Sequence, residues 1–240
     1  MPKKKIKIKI NHDTLFSDVT KKQKDDAVET IIEASCPRKS FFVMTTISAI
    51  ICTLGIMTNN AAIIIGAMLV APMLSSILAI SLGVGMGDFK LIYRSLNVIL
   101  KAVVLAIGFS FLISLMLDKP AEFNHEMLLR IKVSTETLII ALVAGIAASL
   151  SMIRHELRQY LAGTVIAVAL IPPLSMSAIA LRMFEFQVFY NSLMVFVFNL
   201  IGIVLSSLLV FSLTKFYTSQ DKVVEELKEE GDLLGKEENV

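Results

Sequence analysis

Cut at charges and turn residues, the hydrophobic pattern resolves into six apolar segments. They run about Ser40–Met57, Ala61–Gly87, Ser95–Leu117, Thr137–Ile153, Tyr160–Leu181 and Phe186–Thr214. Crossing a hydrocarbon core of roughly 30 Å takes about 20 residues of helix, so each segment is a span by length. None alternates over about ten residues as a membrane barrel strand does. Backbone groups in lipid must be satisfied within their own segment, so all six are predicted to be helices. Thr58, Asn59 and Asn60 part the first run from the second and read as a polar turn. Ahead of the spans, Lys5 to Ile10 alternates with period two and predicts a short strand. Thr20 to Ser35 predicts a helix with Ala27, Val28, Ile31 and Ile32 on one face, stopped by Pro37. Its simplest reading is a membrane-surface helix held by cationic side chains against anionic headgroups. A packing element between subunits is the alternative. The first apolar run starts forty residues in, which does not read as a signal peptide. The acidic stretch Asp221–Glu238 reads as a solvated helix with a frayed end.

Composition sharpens the class. Of 240 residues, 55% are hydrophobic and 18% charged, against about a quarter charged in an average globular chain. Ser40 to Gly87 is a run of 48 residues with no charge at all. These features exclude a soluble enzyme, a disordered chain and a disulfide scaffold. The net charge of +2 gives no argument for a nucleic-acid partner. With six spans both termini share a side, and 18 of the 23 Lys and Arg fall there against four on the other. The positive-inside rule then places both termini in the cytoplasm of a multi-pass inner-membrane protein. The expected divisions are a basic cytoplasmic segment 1–39, a membrane repeat 40–117, an extracytoplasmic loop 118–136, a second repeat 137–214 and an acidic tail 215–240.

The two halves invite comparison. With Pro72 laid on Pro172, Pro72-Met73-Leu74-Ser75 lies over Pro172-Pro173-Leu174-Ser175 at an offset of 100 residues. Each motif falls in the middle helix of a three-helix half. Three is odd, so the halves run in opposite directions, the pattern of an inverted-topology repeat. Proline lacks an N–H and crowds the carbonyl four residues back. Pro72 is expected to free the carbonyl of Met68, Pro172 that of Val168, and Pro173 that of Ala169. A freed carbonyl in hydrocarbon needs a hydroxyl, a water or an ion, and Ser75, Ser76, Ser175 and Ser177 follow at once. Two readings stand side by side. Either the serines merely cap kinks, or two broken helices build a midplane binding site.

These residues also carry a resemblance. Ile65-Gly66-Ala67-Met68-Leu69-Val70-Ala71-Pro72-Met73, with Gly87-Asp88 and Arg94-Ser95-Leu96 beyond it, resembles the hydrophobic family catalogued as domain of unknown function 389. Thr53-Leu54-Gly55-Ile56 with the asparagines after it, the block Gly163 to Leu174, and Asn199-Leu200 are similar to it as well. The likeness runs from about Phe41 to Leu213. It implies a six-span bacterial or archaeal membrane protein and implies no substrate. The chain departs from the family's form where Ser175-Met176-Ser177 replaces the glycine usual after the double proline.

Other candidate chemistry is sparse. Lys101 is the one full charge well inside an expected span, about seven residues in. Intramembrane charges are often functional, but a lysine stem can also snorkel to the surface. Asn199, mid-span, either bonds across helices or lines a path. Gly83-x-Gly-x-Gly87 follows an apolar helix rather than a strand, so it is not a nucleotide fingerprint; close helix packing is the better reading. Asp88 and Arg94 at one inner turn, and Arg154 and Glu156 at the other, form a candidate rim or gate with Lys101. His12, His125 and His155 are far apart, Cys36 and Cys52 lack metal-ligand spacing, and no cofactor, metal or catalytic set is expected. The fold expectation is therefore an all-α integral membrane protein with six transmembrane helices, arranged as two inverted three-helix repeats whose second and fifth helices are broken. The functional expectation is passage of a small solute or ion by a homo-oligomer in the lipid bilayer, without enzymatic chemistry. The site would comprise the Met68 and Val168 carbonyls, Pro72, Pro172, Pro173, Ser75, Ser76, Ser175 and Asn199. The alternative is a non-transporting scaffold or sensor whose termini bind a cytoplasmic partner.

Overall fold

The computed structural model describes residues 19–118, 120, 122–154, 156–157, 170–216, 224–225 and 227. The expected strand at Lys5–Ile10 and most of the first half of the fifth expected span lie outside them. Among the described residues the regular structure is helical: α1 Lys21–Ala34, α2 Lys39–Met57, α3 Ala61–Val70, α4 Met73–Met86, α5 Phe89–Met116, α6 His125–Leu128, α7 Thr135–Ile153, α8 Ile171–Met183 and α9 Phe186–Leu213. Four of these, α2, α5, α7 and α9, are long and apolar enough to cross a membrane. The pair α3–α4, bent by 52°, makes a fifth if it is one span. The described part of the fifth expected segment, α8, has 13 residues and is too short by itself.

Local chemistry explains the boundaries. α1 starts where Thr20 and Gln23 form a reciprocal capping box, and it stops at Ser35, ahead of Pro37. The α2–α3 turn needs a left-handed residue, Asn59 at φ 52°, and Asn60 caps α3 by accepting from the N–H groups of Ala62 and Ile63. α5 begins six residues before the expected Ser95, because the Asp88 carboxylate caps it through Leu91 N at 2.9 Å. Lys90 and Arg94 lie within its first turns. A charge near a helix end faces the interface and does not interrupt the backbone, so cutting at charges shortened this element.

The halves share a plan. α2 and α7 have 19 residues each, and α5 and α9 have 28 each. α4 ends on Gly87 at φ +71° and α8 on Phe184 at φ +64°. Each left-handed residue closes the same turn, with Asp88 N donating to Gly83 O at 2.9 Å and Glu185 N to Ala180 O at 3.0 Å. A 28-residue helix beginning with phenylalanine follows both. Twenty-eight residues span about 42 Å, so α5 and α9 outreach the hydrocarbon core or tilt across it.

Hydrogen bonds between distant segments define two ends of the bundle. At one, Lys24 Nζ donates to Lys215 O at 3.1 Å, and Arg94 reaches Ile32 O at 3.4 Å. This N-terminal face holds α1, the starts of α2 and α5, and the end of α9. Burial, and then the nearby Lys215, hold the Lys24 ammonium below its usual range. At the other end, the loop face, Asn124 Nδ2 donates to Ile56 O at 2.7 Å. There Arg182 also donates to Ser114 O and, at 2.7 Å, to Leu117 O, closing the C-terminus of α5 with a positive charge. Thus α2, α5 and α8 run one way, and α3–α4, α7 and α9 the other.

Packing follows small residues. α7 lies so close to α9 that a Cβ on Gly145 would meet Ser206 Oγ at 2.0 Å and Ile203 Cα at 2.9 Å. Interhelical hydroxyl bonds add less, about 0.6 kcal/mol each on average in membrane bundles, so this contact outweighs any one serine. The apolar face of α1, expected to meet lipid or another subunit, meets neither. It is instead spent inside the chain: Ala27, Val28, Ile31 and Ile32 are at most 1% exposed, against α4 and α7.

Gly145→Leu is expected to overpack this contact and lower stability by about 1–3 kcal/mol. Gly66→Leu, whose Cβ meets nothing within 4 Å, should leave it unchanged or slightly raised. Thermal denaturation in detergent checks both. Cysteines placed at Lys22 and Leu128 of a Cys36→Ser background are expected to take an impermeant maleimide from opposite sides of sealed vesicles, while the native Cys52 stays buried and unlabelled.

Candidate functional site

The break in α3–α4 is set by Pro72. The residue before a proline is pushed out of the helical region, and Ala71 sits extended at φ −74°, ψ 122°. The last carbonyls of α3 then lack intrahelical partners. One of them, Ala67 O, accepts from Ser48 Oγ of α2 at 2.6 Å. The hydroxyl that reaches Ala67 O therefore comes from the preceding helix. Ser75 is half-buried, and Ser76 is fully buried with no hydrogen-bond partner for its Oγ among the described residues. α4 has no side-chain cap.

The second motif is described only from Leu170 onward. Pro172 and Pro173 sit in the first turn of α8, where a helix has unpaired N–H groups anyway and proline is tolerated. The carbonyls they were expected to free, those of Val168 and Ala169, both lie outside the described residues. The offset of 100 also shifts. Gly87 follows Pro72 by 15 positions and Phe184 follows Pro172 by 12, so aligning the left-handed turns gives an offset of 97. The two prolines are then nearly one helical turn out of step.

Four of the expected residues do come together. Met68, Pro172, Pro173 and Asn199 line a cavity of about 190 Å3, with Arg130 and Thr137 toward the loop face. Asn199 is 3% exposed. Arg130 arises from the segment joining the halves, just after α6. Its guanidinium pairs with the Glu126 carboxylate at 2.7 Å and donates to the Glu126 carbonyl. Glu126 N in turn donates to Asn59 Oδ1 at 3.1 Å, so the segment is tied to the α2–α3 turn. Sequence reasoning overlooked this buried pair. Its one signal was the four-residue spacing of Glu126 and Arg130, which suits a helical ion pair.

Pro72 does not reach that cavity. It lines a second one, of about 230 Å3, with Glu33, Cys36, Arg38, Ser40 and Phe41 at the N-terminal face. Ser175 lines neither. It is fully buried, accepts from Ser110 Oγ at 3.0 Å, and approaches Ala49 O at 3.5 Å. This serine and carbonyl contact joins α2, α5 and α8 in the bundle interior.

The rim residues serve separate places. Asp88 caps α5. Arg94 crosses to α1 through Ile32 O. Arg154 is the C-cap of α7, and Glu156 is exposed just beyond it. Lys101 is exposed on the outer surface of α5 beside Phe42, only three residues into α2 from Lys39. That neighbour makes it shallower than the start of α5 alone would suggest, consistent with snorkelling.

These features define a multi-pass membrane protein, helical and with one sharply broken span among the described residues, and with a cavity toward each end of the bundle. Residues 68–205 match the family described as Domain of unknown function (DUF389), and the chain belongs to that family. An uncharacterized protein of Methanocaldococcus jannaschii is 30% identical over 178 residues, covering 72% of this chain and 54% of its own length. The chain thus spans about half the length of the curated relative it matches. No solved structure matches it.

The Glu126–Arg130 pair gives a direct test. Removing one partner of a buried pair leaves an uncompensated charge and costs about 3–5 kcal/mol. Arg130→Gln is expected to lower the unfolding temperature strongly, and the double variant with Glu126→Gln to recover part of the loss. Thermal unfolding of the four proteins of this cycle in detergent measures the coupling.

Proposed function

We propose that the chain passes a small solute or ion across a cytoplasmic membrane, with both termini on the cytoplasmic side, by alternately opening two cavities separated at the α3–α4 break. The observation that carries this reading is the placement of Met68 and Pro72. Met68 lines the loop-face cavity and Pro72 the N-terminal-face cavity. They stand four residues apart in the chain, on either side of the extended Ala71. A barrier formed by so few residues, at a point where the backbone has left the helix, is where a small hinge motion exchanges access.

The equal lengths of α2 and α7 and of α5 and α9, with the matching left-handed turns, support two inverted three-helix repeats. So does the reciprocal packing, α4 on α9 and α5 on α8. In an inverted repeat, a cavity on one face beside Pro72 has its counterpart on the opposite face beside Pro172. Asn199 and Arg130 supply polar contacts on the loop side. The serine contact among α2, α5 and α8 seals the interior beside them.

Purified protein in liposomes is expected to give a current or solute flux when cations, protons and small anions are scanned. Pro72→Ala rebuilds a continuous α3–α4 helix and should cut that flux at least about tenfold. Asn199→Leu should do the same by closing the cavity. Pro172→Ala, in a first helical turn, should have little effect. Flux at the level of empty liposomes for every solute, or flux unmoved by both Pro72→Ala and Asn199→Leu, would overturn the reading.

A further inference from the structure

Lys101 lies in a groove whose other lining residues are all apolar: Phe42 on α2, and Leu100, Val104 and Leu105 on α5. The groove has a volume of about 440 Å3 and lies on the outer surface of two candidate membrane spans. Leu100 and Val104 are 56% and 70% exposed, so nothing among the described residues covers them. The Lys101 ammonium has no hydrogen-bond or ion-pair partner among the described residues. A bare cation at the edge of hydrocarbon is costly unless an anion or water meets it.

Helical spacing places more polar groups at the same end. Lys39 precedes Phe42 by three residues and Asn97 precedes Lys101 by four, so each shares its neighbour's face. Lys39 and Asn97 are both exposed. On α2 and α5 alike, these groups lie toward the N-terminal face, whereas Val104 and Leu105 lie deeper. The pattern is cationic and hydrogen-bonding at the interface and apolar below it.

We propose that the α2–α5 groove binds one anionic phospholipid, its phosphate held by Lys101 and Lys39 with Asn97 donating, and an acyl chain along Phe42, Leu100 and Val104. Charge complementarity selects the occupant. A second protein copy would have to bring its own buried anion to Lys101, whereas an anionic lipid carries the phosphate at the required depth and the apolar chain beneath it. The site is independent of the transport reading, because neither cavity at the helix break uses these residues.

The test is native mass spectrometry of the full chain in detergent, titrated with phosphatidylglycerol or phosphatidylcholine of identical acyl chains. Wild type is expected to retain one phosphatidylglycerol in preference to phosphatidylcholine. Each cation near the bilayer surface contributes a factor of about five in binding. Lys101→Met and Lys39→Gln should therefore each reduce the preference by about fivefold, while Lys101→Arg keeps it. Val104→Trp should weaken retention of both lipids by filling the groove. Circular dichroism spectra matching wild type show that the variants fold. Equal retention of the two lipids by wild type would overturn the proposal. So would a full phosphatidylglycerol preference in Lys101→Met. A loss of oligomeric mass in Lys101→Met with no change in lipid retention would also overturn it, and would assign the groove to a second copy.

Discussion

A backbone carbonyl stripped of its helical partner is expensive wherever water is scarce, and the break after Val70 creates several of them in an apolar bundle. The arrangement around α3 answers that constraint. Ser48 on α2 supplies a hydroxyl to Ala67 O, which requires α2 to lie alongside the break. The α2–α3 turn, with left-handed Asn59 and the Asn60 cap, folds the two helices together. Asn59 in turn holds Glu126, and Glu126 holds Arg130 over the cavity that Met68 lines. Two separate polar links thus flank the α2–α3 hairpin, one serving the break and one holding the loop face.

The energetics favour shape over polarity elsewhere. In lipid the hydrophobic effect does not draw helices together, so close van der Waals approach has to. Gly145 gives α7 and α9 that approach, to the point that a single added carbon would collide with Ile203. The serine contacts that accompany it satisfy donors without adding much stability. The buried Glu126–Arg130 pair is of the same kind. Such pairs rarely gain net stability over apolar replacements, but breaking one is costly. Its value lies in holding a polar wall in position.

Much of this was legible along the chain. Span positions follow from length and apolarity, which depend only on local composition and on the need to satisfy backbone groups inside each segment. The α1 face, Ala27, Val28, Ile31 and Ile32, was readable from 3.6-residue periodicity, and the stop at Pro37 from proline sterics. The Pro72 break was readable for the same reason. What periodicity could not say was where the α1 face points; lipid, a second subunit and this chain's own α4 and α7 are equivalent to a pattern. Nor could it show that Pro172 and Pro173 stand in the first turn of α8, since a proline in a first turn and one in a helix interior look alike in sequence.

The site divides along the same line. Met68, Pro172, Pro173 and Asn199 were singled out one by one as breaks and buried polar groups, which are local properties. That they share a cavity with Arg130, and that Pro72 opens toward the opposite end, depends on which helices are neighbours. The amino-acid sequence by itself determined the class of protein, the helices, their turns and the break, because hydropathy, capping and proline geometry act within a few residues. The tertiary structure alone decided that Ser48 serves the break, that Glu126 and Arg130 are buried together, and that Lys101 sits shallow beside Phe42. Those facts join residues far apart in the chain, and no short-range rule connects them.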